Sequence, residues 1–301
     1  MTETTKEFPS LADALISVFG SRTEIAAMTP VSGGDINRAC RLILRDETQL
    51  FMKSNAGTSP SFFRAEAEGL AAIADTNTIR VPQILAIGMD GKLGAFLLLE
   101  WIEGARQTPD YWTTFGRRLA AMHRAETSAL VSGGKYGLNR DNYIGARRQK
   151  NTPMNSWIAF FRDCRLEPQF RDAARWFDAT DRKRISYLLE HLDEYLDEPE
   201  QPSLLHGDLW SGNFITGSDG NAWLIDPAAY VGHPEADIAM TELFGGFPQK
   251  FYDAYQEVNP MKPGYERRRE VYNLYHLLNH LNLFGGSYLP SIQRILKNRE
   301  K

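Results

Sequence analysis

The stretch LLHGDLWSGNFITGSDGNAWLID, Leu204 to Asp226, constrains the fold of this chain more than any other. Apolar, strand-prone runs lie on either side of His206, Asp208 and Asn213, and Asp226 closes the second run. The turn residues of SDGN between those runs predict a hairpin. Its return strand is expected to carry Asp226 back beside Asn213. Taken singly, an Asp or Asn in a turn is ordinary, because both side chains bond their own backbone. The whole array demands more: two carboxylates, a carboxamide and an imidazole gathered on one short hairpin.

Phosphoryl transfer to a hydroxyl needs such a set. A carboxylate accepts the acceptor's proton, and a carboxamide oxygen together with a second carboxylate ligates Mg²⁺, a hard ion that prefers oxygen donors. Asp208 fits the first role, and Asn213 and Asp226 fit the second. His206 is expected to support the loop. The order H-x-D-x₄-N, hairpin, D is the catalytic order of protein kinases, with Gly207 where they carry Arg.

That order makes demands upstream, where a lysine on the third strand must hold phosphates and a glutamate on the next helix must hold the lysine. The runs EIAAMTPV, RACRLILR and QLFMKS predict strands joined by the turns SGGDIN and RDET. The third run supplies Lys53. SPSFFRAEAEGLAAIA predicts a helix carrying Glu66 and Glu68, about 200° apart on a helical wheel. Glu66 shares a face with Phe62, Phe63, Leu70 and Ile73 and is the one expected to meet Lys53. Gly33 and Gly34 in SGGDIN are candidates to close over the nucleotide, although the full GxGxxG pattern is absent. Two more strands, near Ile84–Gly88 and Ala95–Trp101, lead to a connector whose Glu100, Trp101 and Ile102 would offer backbone groups to adenine.

Helical patterns then dominate. DYWTTFGRRLAAMHRAE, DRKRISYLLEHLDEYL, REVYNLYHLLNHLNLF and SIQRILKN each predict a helix, and SWIAFFRDCRLEPQFRDAARWF predicts a helical pair or one helix broken near Pro168. SGGKYGLNRDNYIGARRQKNTPMN reads as one long loop, and the RRR of Arg267–Arg269 as a solvated helix face. The expected fold class is α+β, a protein-kinase-like two-lobe fold. Residues 1–100 form a small antiparallel sheet with one helix, preceded by a short helix at 10–20. Residues 101–301 form a larger, mostly helical lobe with the catalytic loop and acceptor site.

Composition narrows the partners. The 34 Lys and Arg against 38 Asp and Glu leave a formal charge of −4, so the chain has no overall field for nucleic acid. GAFLLLEWI is too short to span a bilayer, and the start, MTETTKEF, lacks the apolar core of a signal peptide. Two cysteines make neither a disulfide framework nor a cysteine metal site. A soluble protein of the reducing cytoplasm is expected, with oligomeric state left open.

Beyond the HGD…N…D core, the chain resembles the fructosamine kinase, or ketosamine-3-kinase, family. The resemblance rests on LLHGDLWSGN with its Trp210, on LIDPAAYVGHPEADIAMTELFGGFP, on YNLYHLLNHLNLFGGSYL and on NYIGARRQKNTPMNSWIAFFRDCRLEPQ. It implies that Asp208 is the proton acceptor, Asn213 and Asp226 are metal ligands, and Lys53 with Glu66 is the phosphate-holding pair. It also implies ATP and Mg²⁺ as cofactors. The reaction it implies is transfer of the γ-phosphate to the 3-hydroxyl of a ketosamine, whose product decomposes and so reverses glycation of a small amine or a protein. Many relatives have a cysteine where this chain has Asp35, so thiol control of that loop does not carry over. Trp210 is a candidate sugar platform, or simply packs the loop. Asp237 is expected to fix the catalytic loop by accepting backbone hydrogen bonds. Two alternatives remain open from sequence: an aminoglycoside- or choline-like phosphotransferase, and a nucleotide-binding pseudokinase.

Overall fold

Alternation along the strands of the N-terminal part sorts its side chains between two helices. A computed structural model of the protein describes residues 6–20, 23–31 and 37–299. The loop glycines Gly33 and Gly34, and Asp35, lie outside the described residues. By compactness the chain forms two units, the first made of residues up to Tyr111 together with Ile215–Pro227, the second of Trp112–Phe214 and Ala228 onward.

The first unit holds a six-stranded sheet of β1 (Glu7–Phe8), β2 (Ile25–Pro30), β3 (Arg38–Leu44), β4 (Gln49–Asn55), β5 (Ile84–Asp90) and β6 (Gly94–Glu100), in the order β1-β5-β6-β4-β3-β2. All neighbours pair antiparallel except the short β1, a strand the sequence patterns do not reveal, which pairs parallel with β5. Successive side chains on a strand point to opposite faces. Leu50, Met52, Phe96 and Leu98 therefore pack under α1 (Leu11–Phe19) with Leu11 and Leu15. Phe51, Leu97 and Leu99 pack under α2 (Pro60–Asp75) with Phe63 and Leu70. Lys53, next on that second face, is thereby aimed at α2. Ser10 caps α1 by accepting the Asp13 N–H at 3.1 Å, and Gly20 ends it at φ +61°.

The second unit contains α3 (Tyr111–His123), the hairpin β7 (Asn142–Ile144) and β8 (Arg147–Gln149), α4 (Trp157–Phe161), α5 (Glu167–Asp172) and α6 (Ala179–Glu190). There follow β9 (Ser203–Leu205), the paired strands β10 (Phe214–Thr216) and β11 (Ala222–Leu224), β12 (Tyr230–Gly232), α7 (Glu235–Leu243), α8 (Gln249–Val258), α9 (Tyr265–Phe284) and α10 (Leu289–Lys297). From Ile215 on, the β10–β11 hairpin belongs to the first unit, where Leu224 N–H donates to Arg80 O at 2.9 Å. The centre of the second unit is α9, whose Tyr272, Leu274, Tyr275, Leu278 and Leu281 join Trp157, Phe160 and Phe161 in one core.

Two sequence expectations are corrected here, while the helical pair broken near Pro168 is found as α4 and α5, the second starting at Glu167. They are joined by a wide turn, Arg162–Leu166, in which Glu167 N–H reaches Arg162 O. A turn of i→i−5 spacing absorbs the N–H that proline lacks. The long loop is organised by the β7–β8 hairpin. Arg268 is not a solvated charge, being only 5% exposed. It donates through Nε and Nη2 to the Glu235 carboxylate, both at 2.7 Å, to Asp197 at 3.0 Å, and to the carbonyls of Lys262 and Pro263. The helix α7, not foreseen from sequence, is buried from Glu235 to Thr241, so no amphipathic stripe announces it.

Removing Arg268 would strand Glu235, itself 3% exposed, as an unpaired buried charge. Arg268→Leu is expected to cost roughly 3–5 kcal/mol of stability. Denaturant unfolding checks this, and a loss below about 1 kcal/mol would show that water reaches Glu235.

Candidate active site

Each unit carries its own part of the predicted constellation. In the first, β4 presents Lys53 and α2 presents Glu66, with Lys53 Nζ 2.7 Å from Glu66 Oε1. Of the two candidate glutamates it is Glu66 that pairs. Asp226, at the end of the β10–β11 hairpin, also accepts from Lys53. Burial by itself lowers the lysine's pKa, but the charges of Asp226 and Glu66 outweigh it and hold the ammonium above its ordinary range. Lys53 is thus cationic at neutral pH. Glu66 is pushed upward, by burial first and by the Asp226 charge, against the pull of Lys53. The Asp226 side chain is 42% exposed, so this carboxylate faces solvent while it holds the lysine. It sits at φ +55°, a left-handed conformation that Asp and Asn tolerate best among residues with a Cβ.

The connector follows β6. Glu100 is engaged with Gln83, donating its N–H to Gln83 O at 3.0 Å and accepting the Gln83 N–H on Oε2 at 2.7 Å. Trp101 Nε1 donates to Glu103 at 3.0 Å, and the Arg41 guanidinium lies 4.7 Å from the indole ring. Ile102 is half-buried.

In the second unit, the loop after β9 is fixed from three sides. Gly207 adopts φ +81°, and a Cβ there would fall 2.1 Å from Ala228 O, so glycine alone fits. Buried Asp237, from α7, accepts the His206 N–H at 2.6 Å and the Gly207 N–H at 2.8 Å. His123, from α3, meets Asp237 through Nε2 at 3.2 Å and the Tyr255 hydroxyl through Nδ1 at 2.8 Å. Burial would raise the Asp237 pKa, but the hydrogen bond and charge of His123, the charge of His206 and the Gly207 N–H hold it below the usual carboxylate range. His206 Nδ1 accepts the Asp208 N–H at 3.3 Å, a supporting contact.

Asp208 is clamped by Asn213, whose Nδ2 donates to Asp208 O at 2.7 Å and Oδ2 at 3.0 Å. The amide nitrogen is spent on Asp208, which turns the carboxamide oxygen the other way. Asn213 and Asp226, the two expected oxygen donors for a hard divalent ion, belong to different units. Trp210 is 38% exposed, with its ring 6.5 Å from that of Phe244. It lies across Gly212, where a Cβ would come within 2.4 Å of the indole.

Sequence reasoning missed a buried polar ladder beneath this loop. Arg165 donates to Asn151 at 2.8 Å and Asn151 to Asn142 at 2.7 Å. Gln149 donates to Asn142 at 2.8 Å, and Tyr275 donates to Gln149 at 2.6 Å. Asn142 and Gln149 then hold the carbonyls of Ala229 and Ala228, at 2.7 and 3.0 Å. The density of amide side chains between Asn139 and Asn151 was the available signal.

Among solved structures, an aminoglycoside phosphotransferase in a thermostable mutant form matches 95% of this chain and 98% of its own, with a TM-score of 0.61 at 17% identity. The fold is therefore that of the kinase-like phosphotransferases. The sequence profile of the fructosamine kinase family matches residues 7–300, and the chain belongs to that family. A "probable ketoamine kinase" of Synechocystis sp. is 41% identical over 96% of this chain and 95% of its own length. The chloroplastic protein-ribulosamine 3-kinase of Oryza sativa subsp. indica is 39% identical, covering 92% of this chain and 80% of that protein. A crystal structure from Haemophilus somnus, provisionally named a fructosamine-3-kinase, has a TM-score of 0.85 at 31% identity and covers 97% of each chain.

Proposed function

We propose that this protein is an ATP-dependent kinase that phosphorylates the 3-hydroxyl of ketosamines. The observation that carries the proposal is the carboxylate of Asp208, clamped by Asn213 in a loop that Asp237 anchors through backbone hydrogen bonds. Membership of the fructosamine kinase family, together with the ribulosamine and ketoamine names of the relatives, supports the acceptor class.

Phosphoryl transfer asks a protein mainly to position groups and to stabilise charge. Asp208 orients the acceptor hydroxyl and takes its proton as that oxygen forms a bond to the γ-phosphorus. The bond from phosphorus to the bridging oxygen breaks, and ADP leaves with the electron pair. Lys53 spreads its charge over the phosphate oxygens, and Glu66 keeps it directed there. Asn213 and Asp226 would hold Mg²⁺, which neutralises charge on the phosphates when bound. Because the Glu100 N–H is engaged by Gln83, Trp101 and Ile102 are left to meet the adenine edge. The phosphorylated ketosamine then decomposes and frees the amine, whether that amine is small or belongs to a protein. We place this activity in the cytoplasm. No helix among the described residues is long and apolar enough to cross a membrane.

ADP release with Mg-ATP tests the proposal against ribulosyl-lysine, fructosyl-lysine, a neutral ketosamine, kanamycin and choline. Turnover is expected on the ketosamines alone and not with Asp208→Asn. Turnover on kanamycin or choline instead would keep the kinase and replace its substrate. ATP binding with silence across the panel would favour a pseudokinase.

A further inference from the structure

Beside Asp208 stands a buried group that the mechanism above does not use. His276, on α9, is 4% exposed, and its Nδ1 lies 3.9 Å from Asp208 Oδ1. That nitrogen has no hydrogen-bond partner among the described residues. A buried polar atom left bare costs on the order of 1–3 kcal/mol, so an orphan of this kind calls for an explanation. Burial pulls the imidazole down to about 3, so the ring is neutral at working pH and its Nδ1 can either donate or accept, according to tautomer. The Asp208 side chain is 22% exposed, which leaves the neighbourhood open to a ligand. From His276 the same face of α9 continues through His280 and Phe284. His280 is in ring contact with Phe244 and Tyr288, and Phe244 with Trp210. The wall leading away from Asp208 is therefore aromatic, suited to the apolar face of a sugar.

We propose that His276 is an acceptor-binding residue, whose Nδ1 takes the C4 hydroxyl of the ketosamine while Asp208 takes the proton of the C3 hydroxyl. This rests on the assignment of Asp208 and of the ketosamine class made above. A gap of 3.9 Å lets two neighbouring hydroxyls each be met at hydrogen-bond distance, one by the carboxylate and one by the imidazole. Substrates with a single hydroxyl satisfy Asp208 and leave His276 bare. A site built to bond a hydroxyl rejects analogues that lack it far more strongly than an apolar pocket could. His276 thus selects for adjacent hydroxyls, which a polyhydroxy sugar has and choline lacks.

The experiment compares a ketosamine with its 4-deoxy analogue on the wild-type protein, His276→Leu and His276→Asn. In the wild type the deoxy analogue is expected to lose about 10–100-fold in kcat/KM. His276→Leu should lose a similar factor on the parent substrate, nothing further on the deoxy analogue, and less than twofold in the KM for ATP. His276→Asn, which keeps a polar atom near the Nδ1 position, should recover part of the loss. A purely structural histidine would lower stability and leave the hydroxyl preference intact. The inference is overturned if the deoxy penalty persists in full in His276→Leu, or if the wild type ignores the hydroxyl. The wild-type arm decides even if the Leu variant does not fold. Failure of the wild type on both ketosamines would instead sink the functional proposal itself, which separates the two.

Discussion

Asp208→Asn is expected to keep ATP bound and to lose turnover by a factor on the order of 10²–10⁴. The substitution is nearly isosteric. Its carboxamide oxygen can still accept from Asn213 Nδ2, which now stands 3.0 Å from Asp208 Oδ2. The backbone clamp from Asn213 to Asp208 O, at 2.7 Å, is untouched. What is lost is a group able to take a proton, so the deficit falls on kcat and not on nucleotide affinity. Single-turnover phosphate transfer alongside an ATP-binding titration separates the two. Turnover within a few-fold of wild type would remove Asp208 from the chemistry. A matching loss of ATP affinity would point to a collapsed loop instead.

Asp226→Asn tests the metal assignment in the same way. The position sits at φ +55°, and Asn is the residue other than Gly that tolerates this region as well as Asp does, so the backbone should not object. Asn can also still accept from Lys53 through its oxygen. Only the negative charge goes, and a hard divalent ion depends on charge as well as on oxygen donors. The Mg²⁺ concentration for half-maximal activity should rise by about 10–100-fold, with activity partly restored at high metal. An unchanged Mg²⁺ titration would count against Asp226 as a ligand. Asp226→Ala would be a poorer test, because alanine at that φ adds strain to the loss of charge.

Much of the fold was legible because its determinants are local. The strand runs around Lys53 and the face of α2 that carries Glu66 follow from periods of two and 3.6 residues. The kinase-like order called for a Lys–Glu pair, the helical period chose Glu66 over Glu68, and Glu66 Oε1 lies 2.7 Å from Lys53 Nζ. Asp237 was expected to support the loop, and it accepts the His206 and Gly207 N–H groups there. Its partner His123 was not expected, because the apolar face of α3 does not say which distant residue packs against it. The RRR run misled for the same reason. Charged side chains are solvated by default, and Arg268 is buried because Glu235, Asp197 and two backbone carbonyls replace its water. α7 escaped notice because a helix buried on nearly every side carries no stripe.

The sequence by itself therefore determined which residue types the chain offers for taking a proton, holding a phosphate or ligating a metal, and in what order it delivers them. These are properties of residue type and short spacing, fixed before folding. Only the tertiary structure decided where charges and dipoles lose their water. It buried Arg268 against Glu235, tied His123 to Asp237, and set the bare Nδ1 of His276 3.9 Å from Asp208. Desolvation is a property of everything packed around a group, and those neighbours come from helices and loops far apart in the chain.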